Sequence, residues 1–249
     1  MSATTKKKNN HSHPRRLYDV LFTILLAAAL FAMIWFMINS TSFMLLGNIV
    51  THVDTKEKVV ALTFDDGPLP GATEDVLATL KRLDVKATFF VIGVEAARHP
   101  DQLKKIIVAG EEVGNHSYSH KVMAFMTYGD VAKEIESNDK LIRAAGYSGP
   151  IQFRVPYNIK FITLPYYLMQ HKRLDISRDA ITSEGWSDSP KQIANDILSQ
   201  VKPGSIILLH PMYKHTVSSR QAIAQIVGDL RAKGYKFVTV SQLLSYKKS

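Results

Sequence analysis

The sequence contains no cysteine in 249 residues. That absence excludes disulfides, thiolate nucleophiles, Cys-ligated zinc and iron–sulfur clusters together. Any metal in this chain must be held by His, Asp or Glu. Charge is missing from a whole stretch: residues 20–50 contain no Asp, Glu, Lys or Arg. Tryptophan is scarce, with 2 residues, and charged residues make up only 21% of the chain. Against that, 46% of residues are hydrophobic and 13 are Gly, a composition far from disordered or collagen-like. The length supports a core that stands without staples.

The net charge of +9 is unevenly placed. Lys6, Lys7, Lys8, Arg15 and Arg16 face a single acid, Asp19, in the first nineteen residues. A basic patch on a domain would suggest nucleic acid. Nearly half of the excess instead precedes the uncharged stretch, so no nucleic-acid partner is expected. Val20 to Ile38 reads VLFTILLAAALFAMIWFMI, with Thr23 its one polar residue. As a helix it would extend about 28 Å, close to the hydrocarbon thickness of a bilayer. Trp35 and Phe36 sit near the end, where aromatic rings favour the interface, and the basic cluster keeps the amino terminus cytoplasmic. A cleaved signal peptide is the rival, but its apolar region is usually about 7–15 residues and ends at small residues. The expected organisation is a cytoplasmic tail (1–19), a single-pass anchor (20–38), a linker (39–57) with one short element near Phe43–Leu46, and an extracellular domain (58–249).

From Lys58 onward, apolar runs alternate with amphipathic stretches. Strands are expected at Val59–Phe64, Ala87–Ile92, Glu112–Asn115, Gln152–Arg154, Arg173–Ile176, Ser205–Leu209 and Lys236–Thr239. Helices are expected at Thr73–Leu83, Asp101–Ala109, Gly129–Ala145, Lys191–Gln200 and Arg220–Lys233, three of them followed by Gly110, Gly146 and Gly234. This alternation predicts an α/β fold, with a parallel barrel of about seven strands favoured over an open sheet.

Such folds carry their chemistry at the carboxyl ends of strands. Asp65-Asp66, His116 with His120, Arg154 and His210 all fall at such ends. Each alone reads as a cap or turn residue; four strands delivering ionisable groups to one rim read as a site. Two adjacent carboxylates repel unless a cation intervenes, and a divalent metal on one leaves the other as a base. His116 and His120, spaced i and i+4, lie on one face of a helical turn and can grip the same ion. Asp and two His without thiolate suit Zn²⁺, with Co²⁺, Ni²⁺ or Fe²⁺ as alternatives.

Four ordered motifs then carry a resemblance: Thr63-Phe64-Asp65-Asp66-Gly67-Pro68, His116-Ser117-Tyr118-Ser119-His120, Arg154-Val155-Pro156-Tyr157 and Leu208-Leu209-His210. Together with the flanking Lys86–Val91 and Gly114-Asn115, they make the stretch from Lys58 to Leu244 similar to the polysaccharide deacetylases of carbohydrate esterase family 4, the NodB homology domain. The resemblance implies a distorted (β/α) barrel and removal of N-acetyl groups from an acetylated amino-sugar polymer such as peptidoglycan, poly-N-acetylglucosamine or chitin. It implies Asp66, His116 and His120 as metal ligands, Asp65 as general base, and His210 as general acid. Arg154 would hold Asp65, the backbone of Tyr157 would bind the oxyanion, and Leu208 and Trp186 would wall the acetyl pocket. The chain departs from the family pattern at Asn158 and Pro211 and most in the fourth motif, where Asp179-Ala-Ile-Thr-Ser-Glu-Gly-Trp186 makes Asp179 the candidate support of His210. The competing readings are a glycan-binding relative with weak catalysis, and an O-deacetylase of xylan-type polymers. No motif bears on the oligomeric state.

Overall fold

A computed structural model of the chain describes residues 13–184 and 188–247. Its strands are β1 (Asn48–Val50), β2 (Val59–Gly67), β3 (Thr88–Val91), β4 (Glu112–Asn115), β5 (Leu174–Ile176), β6 (Ala180–Ile181), β7 (Ile206–Leu209) and β8 (Lys236–Val238). Its helices are α1 (His13–Asn39), α2 (Ala72–Leu83), α3 (Gly93–Arg98), α4 (Pro100–Val108), α5 (Tyr128–Ala144), α6 (Thr163–Gln170), α7 (Pro190–Gln200), α8 (Val217–Ala232) and α9 (Val240–Leu244).

The unbroken apolar run of β2 belongs to a strand covered on both faces, and all nine of its residues are buried. Alternation sorts them. Val60, Leu62 and Phe64 pack with Val76 and Leu80 of α2 and Ile223, Ile226 and Val227 of α8. Val59 and Ala61 pack with Phe90, Ile176 and Ile206 in a separate cluster. Thr63 and Asp65 continue this second face, and it is from there that the candidate site is built.

All strand pairings are parallel. β2 pairs β3 and β7, and its first residues pair β8; β3 pairs β4, β6 pairs β7, and β1 pairs β5. Phe153 bridges Asn115 to Asp175 and so joins β4 to β5. An antiparallel bridge from His52 to Ser205 carries the β1 side back to β7 and completes a distorted barrel. The Gln152–Arg154 strand is reduced to that one bridging residue, because the chain turns at Pro156 immediately afterwards.

Helix starts follow capping chemistry. Ser189 and Gln192 bond reciprocally at α7, Thr239 and Gln242 do so at α9, and Thr127 accepts from Asp130 at α5. Sequence periodicity missed α3, α6, α9 and β6, which are too short to display a repeat.

The segment 39–57 is not a free tether. Residues 48–50 form β1, the Val53 N–H donates to the Gly204 carbonyl, and Phe43–Leu46 contains no helix or strand. Gly204, at φ +88°, permits that approach: a Cβ there would lie 1.8 Å from the Val53 oxygen. Ahead of it, α1 presents residues 16–33 exposed. Among the described residues it is the one helix long and apolar enough to cross a bilayer, over Arg16–Asn39.

Candidate metal and acid–base site

Consecutive strand residues point to opposite faces, so Asp65 and Asp66 should diverge. The β2–β3 register slips between Asp65 and Gly67, leaving Asp66 as the extra residue with φ +70°. A bulge of this kind re-aims a side chain. Both carboxylates therefore reach the same mouth.

The expected helical turn at His116–His120 is a loop instead. Ser117 and His120 take left-handed φ values of 61° and 56°. The loop is held from inside: Asn115 Oδ1 accepts from the Ser117 N–H, and Ser117 Oγ accepts from the His120 N–H. From outside, Glu134 of α5 accepts from the Tyr118 and Ser119 N–H groups, while Asn138 donates to the Ser117 carbonyl. The two imidazoles still converge, with Nε2 atoms 3.2 Å apart.

Asp66 Oδ1 lies 3.2 Å from His120 Nε2 and 3.7 Å from His116 Nε2. Asp66, His116 and His120 are the three-residue group among the described residues whose ligand atoms all lie within 4.8 Å of one another. Burial lowers both histidine pKa values, which leaves neutral rings. His116 Nδ1 is 2.9 Å from the Arg154 carbonyl; donating there, it turns a bare Nε2 lone pair inward. Burial, then the neighbouring Asp65 charge, pushes Asp66 upward, and its buried Oδ1 has no hydrogen-bond partner. Two imidazole lone pairs and an orphaned carboxylate oxygen facing one point form a donor set suited to a divalent cation.

Asp65 is treated differently by its surroundings. Burial would raise it, but the Arg154 guanidinium and nearby imidazoles outweigh burial and hold it below the usual carboxylate range. Arg154 Nη1 lies 2.7 Å from Asp65 Oδ1. The same guanidinium donates to Thr63 Oγ1 and to the carbonyls of Ile176 and Ser177, and it covers the Phe90 ring at 4.1 Å. With every edge engaged, Arg154 fixes the Asp65 rotamer.

His210 follows β7, the strand paired with β2, where Phe64 and Leu209 are in register. Asp179, expected beside it, lies elsewhere: its carboxylate accepts from Ser205 Oγ and the Ile206 N–H and sits 3.0 Å from His52 Nδ1. It therefore serves the opposite end of β7. Glu184 occupies the expected place, with Oε2 2.6 Å from His210 Nδ1 and both oxygens accepting from the His210 N–H. Burial works against the imidazolium, yet the Glu184 hydrogen bond and the Asp65 and Glu184 charges raise His210 to about 9. A Glu two residues before Trp186 was the available sequence signal.

These groups surround a cavity of about 170 Å³. Leu208, Ile181, Val155 and Tyr157 complete its walls, and Arg178 borders it. Tyr157 has φ +55° and its ring lies 4.6 Å from that of His120. Trp186 lies outside the described residues. Tyr213 went unnoticed in the sequence: burial and the nearby Asp66 carboxylate push its phenol far above its usual range, which keeps it protonated. A larger groove of about 870 Å³ between α2 and α4 contains none of these groups.

The arrangement defines a class: a distorted parallel (β/α) barrel with an Asp–His–His cluster between a guanidinium-held carboxylate and a carboxylate-held imidazole. Residues 52–162 match the family model described as polysaccharide deacetylase. The chain is 34% identical over 197 residues to a peptidoglycan-N-acetylmuramic acid deacetylase of Bacillus subtilis, covering 79% of this chain and 41% of that protein. It is 30% identical over 212 residues to a peptidoglycan-N-acetylglucosamine deacetylase of Bacillus cereus, covering 81% of this chain and 95% of that one. The crystal structure of the Bc1960 peptidoglycan N-acetylglucosamine deacetylase superposes with a TM-score of 0.74 at 30% identity, covering 80% of this chain and 94% of that chain. The chain belongs to the polysaccharide deacetylase family.

Proposed function

We propose that this protein is a membrane-anchored, metal-dependent hydrolase that removes N-acetyl groups from an amino-sugar polymer of the cell surface, peptidoglycan foremost. One observation carries the reading. Asp65, held ionised by Arg154, and His210, held protonated by Glu184, line one cavity together with Asp66, His116 and His120. Two groups with pKa values pushed apart in one cleft are an acid–base pair.

A divalent cation on the three ligands, Zn²⁺ by donor type, supplies Lewis-acid polarisation of the acetamide oxygen and of water. The chain's own groups do the rest. Asp65 takes a proton from the attacking water as the new C–O bond forms. The Tyr157 N–H donates to the carbonyl oxygen as charge builds there. His210 passes its Nε2 proton to the amine nitrogen as the C–N bond breaks, and Glu184 stabilises the charge at Nδ1 until then. Leu208 and Ile181 bound the space for the acetyl methyl. Arg154 positions Asp65.

The basic cluster ahead of α1 supports a cytoplasmic amino terminus and an external barrel. The full chain, loaded with Zn²⁺, should release acetate from N-acetylglucosamine oligomers and peptidoglycan fragments in preference to acetylated xylan. Release from xylan alone would replace this reading with O-deacetylation. Release from none would leave a glycan-binding protein.

A further inference from the structure

The carboxyl end of α1 is bonded to the rim of the active site. The Lys160 N–H donates to the Ile38 carbonyl at 3.1 Å. Asn158 Nδ2 and Lys160 Nζ donate to the Ser40 carbonyl at 3.0 and 2.9 Å. Asn158 adjoins Tyr157, whose N–H faces the reacting carbonyl in the proposed reaction. The apolar helix thus stops beside the mouth, without a swinging linker between them.

Exposed apolar side chains spread outward from that junction. Phe36 of α1 stacks on Phe43 at 6.0 Å. At Gly47 a Cβ would lie 3.2 Å from Met44 Cε and 3.6 Å from Met169 Cβ, so this segment packs on α6. Tyr166 of α6 lies 6.1 Å from Tyr128, and Phe125 lies 6.0 Å from Phe161. Phe43, Leu45, Phe125, Ile162, Tyr166 and Met169 are all exposed, Phe125 by 77%. The three segments that supply this face, residues 40–53, 121–129 and 157–170, contain no Asp or Glu, while Lys121 is exposed. Apolar and aromatic side chains free of acidic residues, continuous with a spanning helix, suit the interfacial zone of a bilayer with anionic lipid.

We propose that this face rests on the outer surface of the membrane, setting the catalytic mouth at headgroup level. The glycan it meets is then one held close to the bilayer, not strands in the distal wall. This rests on the reading of α1 as an uncleaved anchor.

The chain lacks cysteine, so single labels can be placed cleanly. Full-length Phe125→Cys, Val108→Cys and Leu25→Cys proteins would carry an environment-sensitive dye in phosphatidylcholine–phosphatidylglycerol vesicles containing spin-labelled lipid. Val108, also 77% exposed, belongs to α4 beside the remote groove. Quenching at 125 should exceed that at 108 several-fold and accompany strong quenching at 25. Equal quenching at 125 and 108, with position 25 quenched, overturns the docked face and leaves the anchor standing. No quenching at 25 overturns the anchor itself. A second readout uses Phe125→Ser/Ile162→Ser/Met169→Ser. Its acetate release from small soluble oligomers should be unchanged, while release from glycan tethered to the vesicles falls several-fold. Equal loss on both substrates would show the patch to be structural and overturn the proposal.

Discussion

Glu184 Oε2 lies 2.6 Å from His210 Nδ1, and the same carboxylate accepts the His210 backbone N–H. The contact fixes both the rotamer and the charge of the imidazole. It opposes burial, which alone would drive His210 to the neutral form.

The first prediction concerns pH. A group raised to about 9 stays protonated at neutral pH and loses its proton as pH rises through that value. A bound cation counters the contributions of Asp65 and Asp66 and leaves that of Glu184. Glu184→Gln should therefore move the basic limb of the kcat/KM profile to lower pH and reduce its plateau by about 10²-fold, the lower range for general-acid catalysis. Asp179→Asn should leave the limb in place. A shifted limb in Asp179→Asn and none in Glu184→Gln would reverse the assignment.

Arg154 and Asp65 form a buried pair, 4% and 3% exposed at their side chains. Breaking such a pair leaves one charge without its partner, at a cost of about 3–5 kcal/mol. Arg154→Met should lower Tm accordingly and raise the Asp65 pKa, since the cation that offsets burial is gone. Stability then depends on pH in a known direction. The depressed Asp65 pKa contributes stability above the ordinary carboxylate pKa, and that contribution disappears as pH falls through the folded value. Denaturant melts of wild type and Arg154→Met across the acid range test this; parallel curves would contradict it.

Metal binding should stabilise the fold, because the unfolded chain cannot gather three distant ligands. At a free concentration a hundred times Kd the gain is about 2.7 kcal/mol. Zn²⁺ added to chelator-treated protein should raise Tm, and Asp66→Asn should cut both the Tm rise and the metal retained in elemental analysis. Full metal retention in Asp66→Asn would remove Asp66 from the ligand set.

Lys160 is buried at 1% exposure, donates to Ser40 O and Asn158 Oδ1, and lies 3.6 Å from the equally buried Asp175. Lys160→Ala should release the 40–46 segment and leave Asp175 unpaired. Limited proteolysis should then cut within residues 40–46 faster than in wild type. Unchanged cleavage would show that β1 and the remaining bonds to Ile38 and Ser40 secure the junction without the Lys160 side chain.

Much of this was legible in the sequence because it depended on periodicity. The apolar run of β2, the amphipathic α2, α5 and α8, and the charge-free α1 each advertise their element through a repeat long enough to read. Asp66, His116 and His120 were legible as a group because chemistry restricts which residues follow strand ends. What escaped was set by tertiary contact. Only its position two residues before Trp186 distinguishes Glu184 from Asp179 locally; the rest is tertiary, Asp179 being captured by Ser205 and His52 and Glu184 taking a left-handed φ of +47° and bonding His210. Residues 39–57 look like a linker by composition, and they become structure because β5 offers an edge to β1, Gly204 admits the Val53 carbonyl, and Asn158 and Lys160 bond Ser40.

The central claim is that Asp65 acts as base beside a metal held by its neighbours. The direct measurement is acetate release from N-acetylglucosamine oligomers, followed as Zn²⁺ is titrated into metal-free wild type and Asp65→Asn. Wild-type release should rise with occupancy to a plateau near one equivalent, about one ion per three-ligand site. Asp65→Asn should bind the same ion and release acetate at least about 10²-fold more slowly. No acetate from the wild type at any loading, or an undiminished rate in Asp65→Asn, would contradict the account.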